Sequence, residues 1–240
     1  MEYLKSAELK TENKAELYSD FIACSHVLNK PQIFEEYTTK LRNSGFITSE
    51  VLEYNKNVLR SIESSQSYIV TNGWEDTYPL LTLLKQENKS NLEVINVEWL
   101  MDEEYRVITS LSLNISNHPF NGSPYDWIYE ASQKTTSNVY YTPTLPSSVL
   151  LKAQNSLTPM GLVFSLKNET ASNQKMVCVD SWKRFSKLEL VSNSPLSKNY
   201  ILLFNVLESF LSEDKSEKGT YQQVKDYKKQ LVKKFPELKR

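Results

Sequence analysis

Ser67-Tyr68-Ile69-Val70-Thr71-Asn72-Gly73 is a short run of β-branched and aromatic residues closed by a glycine. That composition predicts a strand ended by a turn. Tyr78-Pro79-Leu80-Leu81-Thr82-Leu83-Leu84-Lys85 then reads as a helix with Pro79 in its first turn, where proline is tolerated. A second β-type run follows at Leu92-Glu93-Val94-Ile95-Asn96-Val97. Strand, loop, helix and strand within about 30 residues is the length of a βαβ crossover, which makes the strands parallel and the connection right-handed. The centre of the chain is therefore predicted to be a Rossmann-like half.

Upstream, residues 15–62 read as helical. Leu17, Phe21 and Cys24, then Ile33, Phe34, Tyr37 and Leu41, recur at three- and four-residue spacing. Asn29-Lys30-Pro31 breaks this pair, Asn43-Ser44-Gly45 closes its second member, and a third helix is expected over 48–61.

Downstream, a helix is expected over 102–112, followed by a polar loop over 114–124 that holds His118 and Asn121-Gly122. Residues 138–142 read as a third strand. Gly161-Leu162-Val163-Phe164-Ser165-Leu166 and Lys175-Met176-Val177-Cys178-Val179 read as a pair of strands. Two apolar stripes close the chain: Tyr200, Leu203, Phe204, Leu207 and Leu211, then Tyr221, Val224, Tyr227, Leu231 and Phe235. They form a helical hairpin of the tetratricopeptide type, without a clean repeat elsewhere. The expected organisation is an α/β fold: a helical segment over 1–62, a Rossmann-like parallel sheet domain over 63–195, and the tetratricopeptide-like hairpin over 196–240.

Composition narrows the function. The chain has 240 residues, 40% of them hydrophobic, and 28 Lys and Arg against 29 Asp and Glu. A net charge of -1 gives no global attraction for nucleic acid. No apolar run reaches the roughly 18–20 residues of a membrane-spanning helix, so a chain without a spanning segment is expected. Cys24 and Cys178 lie far apart without a CxxC spacing, which suits two small core residues better than a zinc site or a disulfide framework. His26 and His118 have no partner histidine at ligand spacing, so no metal site is expected there. Five glycines spell neither GxGxxG nor a Walker motif, no serine sits in a GxSxG elbow, and no cofactor is expected.

The candidate site is Asn72, Gly73, Glu75, Asp76 and Thr77, between a strand end and a helix start. Ligands of open α/β sheets collect at that place, and carboxylates there could bind a hard metal ion or act as a base. The plainer reading is that Asp76 or Thr77 caps the helix while Gly73 permits the turn. A second acidic group, Glu98, Asp102, Glu103 and Glu104, could face that loop, or simply favour a helix start. Tyr125, Trp127, Tyr129, Tyr140 and Tyr141 could stack on a sugar or base, or fill a core. The run Lys225, Lys228, Lys229, Lys233, Lys234, Lys239 and Arg240 could touch an acidic partner, or be a solvated helix face.

Thr71-Asn72-Gly73-Trp74-Glu75-Asp76-Thr77-Tyr78-Pro79-Leu80 resembles the motif T-N-G-D-N-D-T-F/Y-P-L of a domain-of-unknown-function family of multi-spanning envelope proteins from Bacteroidota. In that family the motif follows a membrane half similar to protein O-mannosyltransferases. Leu92 to Val97, Ser137 to Thr142, Leu157 to Phe164 and Lys198 to Phe204 resemble later blocks of the same soluble part. Trp74 and Glu75 replace the motif's first Asp and its Asn, the Lys-Arg pair before the third strand is missing, and Asp76 alone remains of two aspartates. The resemblance implies the α/β fold and no transferable activity. The expectation is a non-catalytic interaction or scaffold module, a complex subunit of a bacterial cell-envelope assembly, with envelope-protein partners on the periplasmic side. The alternatives are a ligand-binding or metal-dependent enzyme domain using the Asn72–Asp76 loop on a sugar or phosphorylated small molecule, and a cytoplasmic location.

Overall fold

In the computed structural model the first strand, β1 (Ser67–Thr71), is buried along its whole length. Strands covered on both faces carry apolar residues at consecutive positions rather than alternating ones. The structure describes residues 1–62, 66–116, 119–120, 122–167, 169–187 and 190–239; His118, Asn121 and Arg240 lie outside them. Three helices build the first third after a short α1 (Glu2–Glu8): α2 (Lys14–Val27), α3 (Pro31–Asn43) and α4 (Ser49–Arg60). Their breaks fall where Asn29-Lys30-Pro31 and Gly45 place them, with Gly45 at φ +71°.

After β1 come α5 (Trp74–Leu83), β2 (Leu92–Asn96), a 3-10 turn (Glu98–Met101), α6 (Glu103–Ser112), α7 (Pro124–Lys134) and β3 (Asn138–Tyr141). Next are α8 (Ser147–Ala153), β4 (Thr158–Met160), β5 (Val163–Ser165), α9 (Ala171–Arg184), α10 (Tyr200–Leu211) and α11 (Lys218–Lys234). The five strands make one mixed sheet of order β2-β1-β3-β5-β4. β1 pairs in parallel with β2, Ser67 opposite Leu92 through Thr71 opposite Asn96, and in parallel with β3, Ser67 opposite Asn138. β5 joins antiparallel to β3 and to β4.

Alternation along β1 divides the core in two. Ile69 points to one side, where α2, α3, α4, α5, α9, α10 and α11 bury Phe21, Tyr37, Leu59, Leu80, Trp182 and Leu207, among others. Tyr68 and Val70 point to the other, where Tyr105 of α6, Trp127 of α7 and Val149 of α8 pack. The first and last helices thus share a single apolar cluster with one face of the sheet. Both C-terminal stripes face inward: Tyr200, Leu203, Phe204, Leu207 and Leu211 are all buried, as are Val224 and Leu231. Among the described residues no helix is long and apolar enough to cross a membrane.

Three sequence expectations need correction. Lys175–Val179 is no strand but the second turn of α9, opened by Thr170, whose side chain accepts the Asn173 N–H. The strand beside Val163–Ser165 is instead Thr158–Met160. The four-residue apolar run Met176-Val177-Cys178-Val179 has no period that separates strand from buried helix. The helix following β1 starts at Trp74, not Tyr78, so Pro79 lies inside it. Proline at that position leaves the Glu75 carbonyl without its intrahelical donor. Asn55 of α4 supplies the substitute, its Nδ2 lying 2.9 Å from that oxygen. Finally, Pro124, read as the end of the polar loop, opens α7, which starts with a capping box in which Ser123 and Asp126 satisfy each other's backbone N–H groups.

Candidate functional site

Three parallel strands end side by side at Thr71, Asn96 and Tyr141, and the polar residues there meet beneath the first turn of α5. Gly73 is the N-cap of that helix at φ +83°, with open space where a Cβ would sit, so only its backbone conformation calls for glycine. Asp76 follows in the first turn with 1% of its surface exposed. Its Oδ2 accepts the Asn72 N–H at 3.0 Å and the Thr142 hydroxyl at 3.0 Å, and it also accepts the Thr144 hydroxyl. Thr77 donates to Oδ1 at 3.4 Å.

The network runs onward through Thr77, whose Oγ1 lies 2.8 Å from the Thr71 hydroxyl and accepts the Asn96 side-chain N–H at 2.8 Å. Asn96 Oδ1 in turn accepts the N–H groups of Glu98 and Trp99, starting the 3-10 turn. On the other side, the Tyr125 hydroxyl of α7 donates to Asn72 Oδ1 at 2.9 Å. Every strand end is thereby tied to the next through side chains. Burial pushes the Asp76 carboxyl up to about 6, against the opposing pull of the Thr144, Asn72 and Thr142 donors.

Of the five sequence candidates, Asn72, Asp76 and Thr77 enter this network and Gly73 shapes the turn. Glu75 is exposed and takes no part through its carboxylate. Asp76 does not cap the helix in the usual sense; it reaches back to the N–H of Asn72, one residue before the N-cap. Thr142, Thr144 and Asn96 escaped the sequence reading. Their one signal is position: each is polar and lies at or just after the end of an apolar strand.

The second acidic group does not join the first. Glu98, Asp102, Glu103 and Glu104 are exposed, and the Asp102 side chain caps α6 by accepting the Tyr105 N–H. Among the described residues no three His, Cys, Asp or Glu side chains stand close enough to hold a metal ion. Cys178 is buried and receives the Gly161 N–H at its sulfur, with burial raising the thiol to about 11. His26 packs against the rings of Phe34, Trp99 and Tyr105, and burial lowers it to about 4. Trp127, Tyr140 and Tyr141 are core residues. Tyr125 and Tyr129 instead edge a cleft of about 260 Å³ that the Lys152–Asp126 ion pair crosses.

The open apolar surface lies elsewhere. Met101 at the end of the 3-10 turn is 65% exposed, and Val107 and Leu111 of α6 are 55% and 71% exposed. Val107 and Leu111 stand four residues apart and so share a helix face. They border a cleft of about 330 Å³ floored by Ile115 and Phe120, with the Arg106 guanidinium 4.1 Å from the Phe120 ring. No family model matches this chain, and no curated protein or solved structure does so.

Proposed function

We propose that this chain is a non-catalytic interaction module of a bacterial cell-envelope assembly, facing the periplasm, with protein partners docking on its helical surfaces. One observation carries the reading: the strand-end carboxylate is sealed and saturated by the chain's own donors, while large apolar side chains stand open on α6. A catalytic or metal-binding carboxylate needs access and free lone pairs. Asp76 offers neither, so the alternative of a sugar- or phosphate-directed site at Asn72–Asp76 is less well supported. The parallel β2-β1-β3 part with helices on both faces suits a Rossmann-like half, and α10 with α11 suits a tetratricopeptide-like hairpin. The first is in keeping with the α/β fold that the resemblance to the Bacteroidota envelope family implies.

The test is cross-linked capture of the tagged protein from its native cells. The expected result is one or a few envelope proteins in stoichiometric amount, reduced about tenfold by Val107→Asp with Leu111→Asp, the size of effect that losing an apolar anchor has at an interface. Equal capture by the variant, or recovery of cytoplasmic proteins alone, would overturn the proposal.

A further inference from the structure

We propose that the surface opened on α6 is covered by a second copy of this chain, which receives it in the groove on the outside of the α10–α11 hairpin. The inference rests on reading the α6 face as a docking surface and names what docks there.

The two surfaces are complementary in charge. At 3.6 residues per turn, Glu103, Glu104, Val107 and Leu111 fall within one arc of about 100° on α6. Glu98 and Asp102 precede that arc and are exposed. Arg106, the cation within this helix, lines the cleft beside that arc, its guanidinium held by the Phe120 ring and by the carbonyls of Leu100 and Met101. The face is thus an apolar ridge with an acidic end. The hairpin presents the reverse. Val232, Ile201 and Leu238 line adjoining clefts of about 410 and 520 Å³, rimmed by Lys225, Lys229 and Lys239. Two of the acids on that rim are already neutralised within the chain, Glu208 by Lys228 and Glu237 by Lys198. Asp226, held by Gln222, is the remaining one among the groove residues.

Topology makes the contact intermolecular. Tyr105 of α6 packs on the Tyr68 and Val70 side of the sheet, whereas Val224 and Leu231 of α11 belong to the cluster on the Ile69 side. One chain cannot bring its own α6 to its own hairpin groove. A ridge on one face and a groove on the opposite face join copies head to tail, a heterologous arrangement that extends to chains or closes into rings. Opposite charges at the rim orient the encounter, and added salt screens them.

The experiment is sedimentation velocity of the purified full chain over a range of concentrations, at low and high salt. Species larger than the monomer are expected, with association weakened about tenfold by raising salt from about 0.05 to 0.5 M. Glu103→Lys with Glu104→Lys should give a monomer, and so should Lys225→Glu with Lys229→Glu, because each sets like charges against each other. Mixing the two variants should restore association, since each reversed surface then meets its complement. All four residues are solvent-exposed, so both variants should keep the fold. A wild-type monomer at every concentration, or association that neither charge reversal alters, or a mixture that stays monomeric, would overturn the inference. Any of these could occur while Val107→Asp with Leu111→Asp still reduces capture of other proteins about tenfold. In that case the interaction reading stands and only the identity of the occupant falls.

Discussion

Asp76→Ala is expected to lower the free energy of unfolding by about 3 kcal/mol, measured by urea titration at pH 7, because it strands several buried donors at once. The Asn72 N–H and the hydroxyls of Thr142 and Thr144 all point at the missing carboxylate. Thr142 and Thr144 lie 2.7 Å apart and Thr142 also reaches the Val70 carbonyl, so their loss is partly made good. The Asn72 amide has no such recourse. Asp76→Asn should behave differently, since an amide oxygen in the Oδ2 position still accepts from Asn72, Thr142 and Thr144, and the amide N–H in the Oδ1 position can donate to the Thr77 hydroxyl.

The sign of the pH dependence separates charge from hydrogen bonding. Burial raises the Asp76 carboxyl from 3.8 to about 6 in the folded chain. The folded state therefore holds more protons than the unfolded state between those values, and stability falls as pH rises across them. This contribution is fully present below about 4 and is lost through about 6, by roughly 2–3 kcal/mol. Asp76→Asn carries no titratable group there. Its stability relative to the wild type should climb by that amount between pH 4 and pH 7, and parallel pH profiles for the two proteins would contradict this origin of the shift.

A larger loss, about 3–5 kcal/mol, is expected for Gly161→Ala in the turn between β4 and β5. Gly161 has φ +71°, a region that costs an L-residue about 1–2 kcal/mol. Its added Cβ would stand 2.4 Å from Ser61 Oγ and 2.6 Å from Ser61 Cβ. Ser61 ends α4 and cannot swing aside, because its hydroxyl donates to the Asn57 carbonyl at 3.0 Å and accepts the Leu162 N–H at 2.9 Å. The hairpin would have to lift off the helix, at an overpacking cost of about 1–3 kcal/mol or more. Because both crowding atoms belong to one side chain, Gly161→Ala combined with Ser61→Gly should recover part of the loss. Thermal and urea unfolding of the single and double variants measure this, and an alanine variant within about 1 kcal/mol of wild type would refute it.

What was readable in the sequence was what is local. The run from Ser67 to Thr71 is rich in β-branched and aromatic residues and bounded by Gly73, and a crossover-length segment later Leu92 to Asn96 is a second β-type run; their parallel pairing followed from spacing. The stripe from Tyr200 to Leu211 has an unambiguous helical period. Errors arose where a distant residue decides. The start of α5 was hidden because Pro79 is a poor interior residue until Asn55, 24 positions upstream by the numbering, takes over the carbonyl it orphans. The fate of Asp76 was equally hidden: its hydroxyl partners arrive with β3, 66 and 68 residues later. Local text could name the carboxylate but not the hydroxyls that close over it. Lys175 to Val179 misled for another reason, since Met-Val-Cys-Val satisfies a strand and a buried helix turn alike.

The claim that the strand-end carboxylate holds the fold rather than a ligand is tested most directly by thermal unfolding of wild type and Asp76→Asn with Mg²⁺, Mn²⁺ and a hexose phosphate. The expected result is a midpoint that moves by less than about 1 °C in either protein with any of the three, since a ligand bound to the folded state alone must raise it. A rise of several degrees in the wild type that Asp76→Asn lacks would contradict the claim and make the loop from Asn72 to Asp76 a binding site.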